Sequence, residues 1–244
     1  MSTPALFKGR HFLPEIILLN VRWYWRDALS YRDSEEMMQE RGVEVDHSTI
    51  NRWVLKYALE LDKRIRPHPK LINDSWRADE TYIHIKGEWK YLYLAVDLEG
   101  NTLDFMLSTK RDGKAAARFF RKVLKGQHTQ FPRVITVDKN AASPAAIDAL
   151  KAEETIYFAV TARVDQGTQL RQSKYLNNIV EQDHRNIQCI VKLRMGFKSF
   201  NSARRTLSGT EAMRMIRKGQ VKGIDQGDSV SQVKFIEAIF GIAA

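Results

Sequence analysis

Cysteine is all but missing from this sequence. Cys189 is the sole example, so no intramolecular disulfide can form and a zinc cage built from thiolates is excluded. Long apolar runs are missing as well. The longest unbroken aliphatic stretch is Ile16 to Leu19, against the roughly 20 apolar residues that a membrane helix needs. Met1 to Arg10 contains nothing like the apolar stretch of a secretory signal. Acidic side chains are in deficit: 29 Asp and Glu face 39 Lys and Arg, a net charge of +10. What remains is ordinary globular material. With 43% hydrophobic and 28% charged residues in 244, the chain can build one large domain or two modest ones. These absences predict a soluble protein of the cell interior with no membrane partner.

The surplus of positive charge is concentrated. Residues 1–182 are close to balance, whereas 183–222 hold ten basic and only two acidic side chains. A local excess of that size suits a polyanion, because each Lys or Arg that neutralises a phosphate releases counterions. Nucleic acid is the expected partner; a solvated basic face is the alternative.

The first 66 residues read as helices. In residues 15–27, Ile17, Val21 and Tyr24 share one face at spacings of four and three. Ser30 is placed to cap a second helix ending near Arg41, and Gly42 to stop it. Asp46 can cap a third helix through about Tyr57, whose apolar stripe is Ile50, Trp53, Val54 and Tyr57. The other face of that helix presents Ser48, Asn51, Arg52 and Lys56, residue types that read base edges or hold phosphates. Helix, short turn, polar second helix is the helix-turn-helix arrangement; a three-helix bundle with a polar face would give the same pattern. Trp23, Trp25 and Trp53 are expected in the core. The stretch 67–75, which holds Pro67 and Pro69, reads as a linker.

From Trp76 the period becomes alternating. Strands are predicted at 78–85, 89–96 and 102–108, joined by the short turns Lys86-Gly87 and Asp97-Leu98-Glu99-Gly100-Asn101. A helix over 113–124, a strand over 134–137, a short helix over 144–151, a strand over 156–161 and a long helix over 174–191 complete the order. The fold class is therefore α/β: a ribonuclease H-like mixed-sheet domain over 76–222, preceded by the small helical domain and followed by a tail over 223–244.

That order singles out Asp79 in the first strand, Asp138 at the end of the fourth and Glu181 early in the long helix. Strand alternation allows only one of Asp79 and Glu80 to face a shared centre. Converging carboxylates suit Mg²⁺, which favours their oxygens, and paired cations can activate a nucleophile and stabilise a leaving oxygen in phosphoryl transfer. On composition alone Asp97, Asp104, Glu153 and Asp183 have an equal claim.

The stretches LFKGRHF, SYRDSEEMMQERGVEVDHSTINRWV, ADETYIHIKGEWKYLYLAVDLEGNTLDF, VDKN, KYLNNIVEQDHR and GFKSFNSARRTLSGTEAMRMIRKGQ closely resemble the insertion-sequence family six transposases, over roughly residues 6–222. The resemblance implies a prokaryotic DDE enzyme, cytoplasmic and associated with the nucleoid, with an N-terminal helix-turn-helix and a ribonuclease H-like catalytic domain. It implies that Asp79, Asp138 and Glu181 are the catalytic carboxylates and hold two Mg²⁺ ions, with Mn²⁺ able to substitute. It also implies cleavage of a 3′ strand at terminal inverted repeats, transfer to target DNA by a cointegrate-forming route, and a homodimer or larger assembly. Arg185, Arg204 and Arg205 in the basic segment are candidate DNA contacts beside Ser48, Asn51, Arg52 and Lys56, with Arg214, Arg217 and Lys218 also available. His184 is expected to touch DNA or to serve structure rather than to bind metal.

The chain departs from the family in three places. Ala141 and Ser143 replace a proline and an aromatic, Gln188 stands where a basic residue is common, and residues 155–170 lengthen the interval before Glu181. Two functions follow: an active transposase, or a catalytically impaired or domesticated relative that binds DNA as a repressor.

Overall fold

The computed structural model describes residues 4–27, 29–126, 132–138, 147, 168–172, 178–193 and 197–242. Two compact units emerge. One comprises Met1–Pro69 with Cys189–Ala244, the other Lys70–Gln188. No helix among the described residues is long and apolar enough to cross a membrane.

The helical unit begins with α1 (Pro14–Arg26), α2 (Tyr31–Gln39) and α3 (His47–Ile65). Proline at the first position of α1 suits a helix start, where its missing N–H is not needed. Ser30 caps α2 as the sequence predicts. Its Oγ accepts from the Asp33 amide at 3.2 Å, and the Ser30 amide donates to Asp33 Oδ2 at 2.7 Å, a reciprocal capping box. Asp46 caps α3, accepting from the amides of Ser48 and Thr49 at 2.9 and 3.1 Å.

α3 runs two turns beyond the predicted end at Tyr57. The reason is its buried stripe, which continues through Ala58, Leu61 and Ile65 at the same helical period. The candidate linker starts only after that, and its first residues are pinned. Pro69 bridges Val221, and the Lys222 amide donates to the His68 carbonyl at 2.9 Å.

The C-terminal segment also differs from expectation. The α/β domain was expected to extend to residue 222, but α6 (Phe200–Arg217) buries Ala212, Met213 and Ile216 in the same apolar cluster as α1 and α3. The predicted tail holds α7 (Ser229–Ile239), which with Phe240 and Ile242 joins that cluster. Trp25 and Trp53 are buried core residues, and the half-buried Trp23 packs against the same apolar cluster with the Arg41 guanidinium over its ring.

The other unit is built on a five-stranded mixed sheet in the order β3-β2-β1-β4-β5. The strands are β1 (Ser75–Ile85), β2 (Glu88–Asp97), β3 (Thr102–Ser108), β4 (Val134–Val137) and β5 (Gln169–Gln172). β1, β2 and β3 form the predicted antiparallel meander, while β1, β4 and β5 run parallel. Ile85 pairs with Glu88, so Lys86 and Gly87 alone turn the first hairpin, both with positive φ (51° and 82°). Such a two-residue turn needs that handedness to match the strand twist, which is why glycine stands at its second place.

α4 (Gly113–Leu124) covers one face of the sheet, burying Ala116, Phe119, Phe120 and Val123 against Trp76, Ala78, Tyr93, Ala95 and Val137. α5 (Asn178–Leu193) follows β5. The predicted elements at 144–151 and 156–161 lie outside the described residues, Ile147 apart, which is helical.

Candidate active site

Two of the three predicted carboxylates each follow directly on the last paired residues of β1 and β4. β1 and β4 are parallel, with Ala78 opposite Val137. Both of those side chains are buried under α4. One residue further along each strand, alternation turns the side chains to the opposite face. Asp79 is the next residue of β1, and Asp138 is the residue that follows the end of β4.

Glu80, the competitor next in sequence, is accounted for on the α4 face. Its carboxylate meets the Arg111 guanidinium at 2.5 Å, and the same guanidinium donates to the Tyr82 hydroxyl at 3.0 Å. Asp97 is wholly buried and organises the β2–β3 turn, accepting from the amides of Glu99 and Asn101 at 2.9 and 2.8 Å. Asp104 pairs with Lys122 at 2.7 Å. Asp183 is buried on α5, and Glu153 lies outside the described residues.

α5 supplies the next layer. Val180, Asp183, His184, Ile187 and Val191 form its buried stripe, spaced by three and four. His184 Nδ1 lies 3.5 Å from Asp79 Oδ2. One turn later, Gln188 Nε2 donates to Thr81 Oγ1 at 2.6 Å. Glu181 sits on the same helix, one turn before His184. Sequence reasoning placed His184 among DNA or structural contacts and treated Gln188 as a loss. The structure puts both against β1, and the available signal was their i, i+4 spacing.

The donor set fits a hard divalent cation. Asp79 and Asp138 offer carboxylate oxygens, the ligand type such cations favour while keeping their remaining positions for water and phosphate. Among the described residues no group of three His, Cys, Asp or Glu gathers as a metal cluster.

In the helical unit, the predicted DNA contacts fall into different environments. Arg52 is exposed near the start of α3, donating to Thr49 Oγ1 at 2.8 Å. Asn51 is half-buried. The Ser48 hydroxyl is engaged by the Asp46 carboxylate, so it serves the cap. Lys56 donates to the Leu6 carbonyl at 3.2 Å and thereby holds the N-terminal segment; burial, with Arg10 adding to it, pulls its ammonium pKa down. A cleft of about 280 Å³ opens here, with Arg10, Arg52 and Lys56 on its rim and Phe12, Ile17 and Trp53 within. Arg10 is a basic residue that sequence reasoning missed, since nothing local linked it to α3.

Of the basic segment, Arg185 is exposed on α5, Arg204 exposed on α6 and Arg205 half-buried. Arg214 corrects an expectation. It is buried and paired with Glu211 at 3.3 Å, because it falls on the core face of α6. Arg217 donates to the Arg26 carbonyl at 2.8 Å.

Comparison with known proteins gives these elements a context. Residues 73–220 match the DDE domain family model DDE_Tnp_IS240. The transposase for insertion sequence-like element IS431mec of Staphylococcus aureus is 39% identical over 214 residues, covering 85% of this chain and 86% of its relative. The transposase for insertion sequence element IS257 in transposon Tn4003, also from Staphylococcus aureus, matches to the same extent. Among solved structures, the simian T-cell lymphotropic virus intasome in complex with PP2A regulatory subunit B56 gamma superposes at a TM-score of 0.42 and 14% identity, over 65% of this chain and 56% of that one. The domain match spans more than half of the chain and the sequence relatives most of it. The chain belongs to the insertion-sequence family six DDE transposases, polynucleotidyl transferases of a family that generally uses divalent metal ions.

Proposed function

We propose that this protein binds the terminal inverted repeats of its element through α2 and α3, cleaves a 3′ strand there and joins that end to target DNA. Asp79, Asp138 and Glu181 carry the chemistry. The register that pairs Ala78 with Val137, the residues immediately before Asp79 and Asp138, is the observation that supports this most strongly. Two Mg²⁺ ions, replaceable by Mn²⁺, would supply Lewis-acid charge at the reacting phosphodiester.

Asp79 and Asp138 would hold that charge, with Glu181 of α5 as the third carboxylate. In the first step a water oxygen forms a bond to phosphorus while the bond from phosphorus to the 3′ oxygen breaks, leaving a free 3′-hydroxyl. In the second, that hydroxyl oxygen bonds to a target phosphorus while the target's own bond from phosphorus to its 3′ oxygen breaks. The proton given up by the attacking hydroxyl is balanced by one taken up by the departing 3′ oxygen. The basic residues of 183–222 other than the buried Arg214 attract the phosphate backbone. A homodimer or larger assembly would hold two ends, and the product would be a cointegrate.

The test is a strand-transfer reaction with a pre-cut inverted-repeat end and plasmid target, in Mg²⁺ or EDTA, beside Asp79→Asn, Asp138→Asn and Glu181→Gln. Joined product that requires metal and every carboxylate is expected. Full activity in any one variant removes that residue from the triad. End binding with no product from the unaltered chain would make the protein a DNA-binding repressor instead.

A further inference from the structure

The Gln188 side chain is engaged with β1, where its Nε2 donates to Thr81 Oγ1. We propose that His184 and Gln188 form a two-point clasp that positions α5, and hence Glu181, on the catalytic strand. The proposal rests on the reading of Asp79 and Glu181 as catalytic carboxylates.

The two contacts match in spacing. His184 and Gln188 are four residues apart on a helix, a rise of about 6 Å. Their partners Asp79 and Thr81 are two residues apart on a strand and face the same way, a rise of about 6.8 Å. Helix and strand therefore advance together, and each polar pair falls in step with the other. One contact alone would leave α5 free to swivel about it. Two contacts a turn apart fix both its rotation and its advance along β1. The apolar stripe around them cannot do this by itself, because dispersion contacts are non-directional whereas a hydrogen bond weakens steeply with misalignment.

The strand side of each contact is sheltered, while Gln188 itself is an exposed residue of α5. Thr81 is 7% exposed, and the side chains of His184 and Asp79 are 7% and 17% exposed. Shelter makes the geometry matter, since a buried acceptor that loses its donor is not readily repaid by water. Gln188 is thus a positioning residue. It touches neither metal nor DNA in this role, and it acts through the helix that carries Glu181.

The experiment uses the full chain with Thr81→Val, Thr81→Ser, Gln188→Leu and the double variant Thr81→Val with Gln188→Leu. Valine keeps the branched shape of threonine and the strand preference but removes the acceptor, whereas serine keeps the hydroxyl. Two readouts are taken: the rate of strand transfer from a pre-cut end, and amide hydrogen exchange across α5.

Thr81→Val and Gln188→Leu should each slow transfer by roughly five- to tenfold, the range that loss of one hydrogen bond supplies, with end binding unchanged. Exchange at the α5 amides between 181 and 188 should quicken while β2 and β3 stay as they were. Serine should restore both readouts, and the double variant should be no slower than the worse single, as expected for two residues that share one bond.

A serine variant as impaired as the valine variant would overturn the proposal, because the acceptor would then be irrelevant. Additive single effects would overturn it too, as would α5 exchange that does not respond. The exchange readout does not depend on turnover. If Glu181→Gln proves fully active, the catalytic reading fails on its own, and the clasp is still decided by whether α5 loosens.

Discussion

His184 Nδ1 lies 3.5 Å from Asp79 Oδ2, with both side chains largely withdrawn from solvent. A buried imidazole against a carboxylate restricts the rotamers open to that carboxylate, and groups that orient metal-binding side chains typically matter by about 10–100-fold in affinity or activity. His184→Ala should lower strand transfer by a factor in that range while leaving inverted-repeat binding intact. Parallel transfer and anisotropy measurements check this. Loss of end binding in step with transfer would make His184 a DNA contact.

Arg52 is exposed on α3, and its contact with Thr49 Oγ1 at 2.8 Å sets the guanidinium near the helix start. A side chain that reads a base edge discriminates by ~1–3 kcal/mol. Arg52→Ala should therefore weaken binding to the inverted repeat by that amount and to random duplex far less. An equal loss on both duplexes, measured at one salt concentration, would leave Arg52 with a phosphate contact only.

Asp46 caps α3, and hydrogen bonds from the Ser48 and Thr49 side chains hold its carboxyl well below the usual carboxylate range. A carboxylate whose pKa is depressed by folding stabilises the folded state above its unfolded pKa and loses that contribution as the pH falls toward the folded value. The thermal midpoint of Asp46→Ala should lie below that of the parent at neutral pH. The gap should close as the pH drops below about 4. A gap constant down to strongly acidic pH would assign the loss to something other than the charged cap.

Arg214 and Glu211 form a buried pair at 3.3 Å on α6, their side chains 9% and 5% exposed. Removing one member strands a buried charge, which costs about 3–5 kcal/mol, whereas replacing both with apolar residues is often neutral or stabilising. Arg214→Ala should unfold at markedly lower urea, and Arg214→Met combined with Glu211→Leu should recover most of the loss. Stable Arg214→Ala protein with weakened DNA binding would restore Arg214 to the DNA-facing set.

The sequence was most legible where local pattern and local contact coincide. The meander of β1, β2 and β3, the cap at Ser30 and the turn at Lys86-Gly87 depend on neighbours a few residues apart, and each stands where the alternation or the turn chemistry put it. The placement of Asp79 and Asp138 followed from the element order. β5 was harder to see because Gln169–Gln172 is a polar segment in which only Leu170 is half-buried. The last turns of α3 were obscured by Lys63, Arg64 and Arg66, which made a buried stripe look like a charged linker. Gln188 could be read only as a missing base, since its acceptor Thr81 lies 107 residues away. Arg214 failed for the same reason: its burial is decided by helices of the first 65 residues.

The helical unit is assembled from both ends of the chain, Met1–Pro69 and Cys189–Ala244, with Lys70–Gln188 between them. During synthesis, Leu61 and Ile65 of α3 emerge long before Ala212, Met213 and Ile216, which share their cluster. Contacts of such wide separation form late. The sheet can thus be completed on the ribosome while the first three helices still lack part of their core. A product truncated before residue 189 would carry the whole of α3 and yet leave its apolar stripe partly uncovered, an exposed surface prone to aggregation. The DNA recognition proposed for α3 would then be reserved for chains translated through α6 and α7.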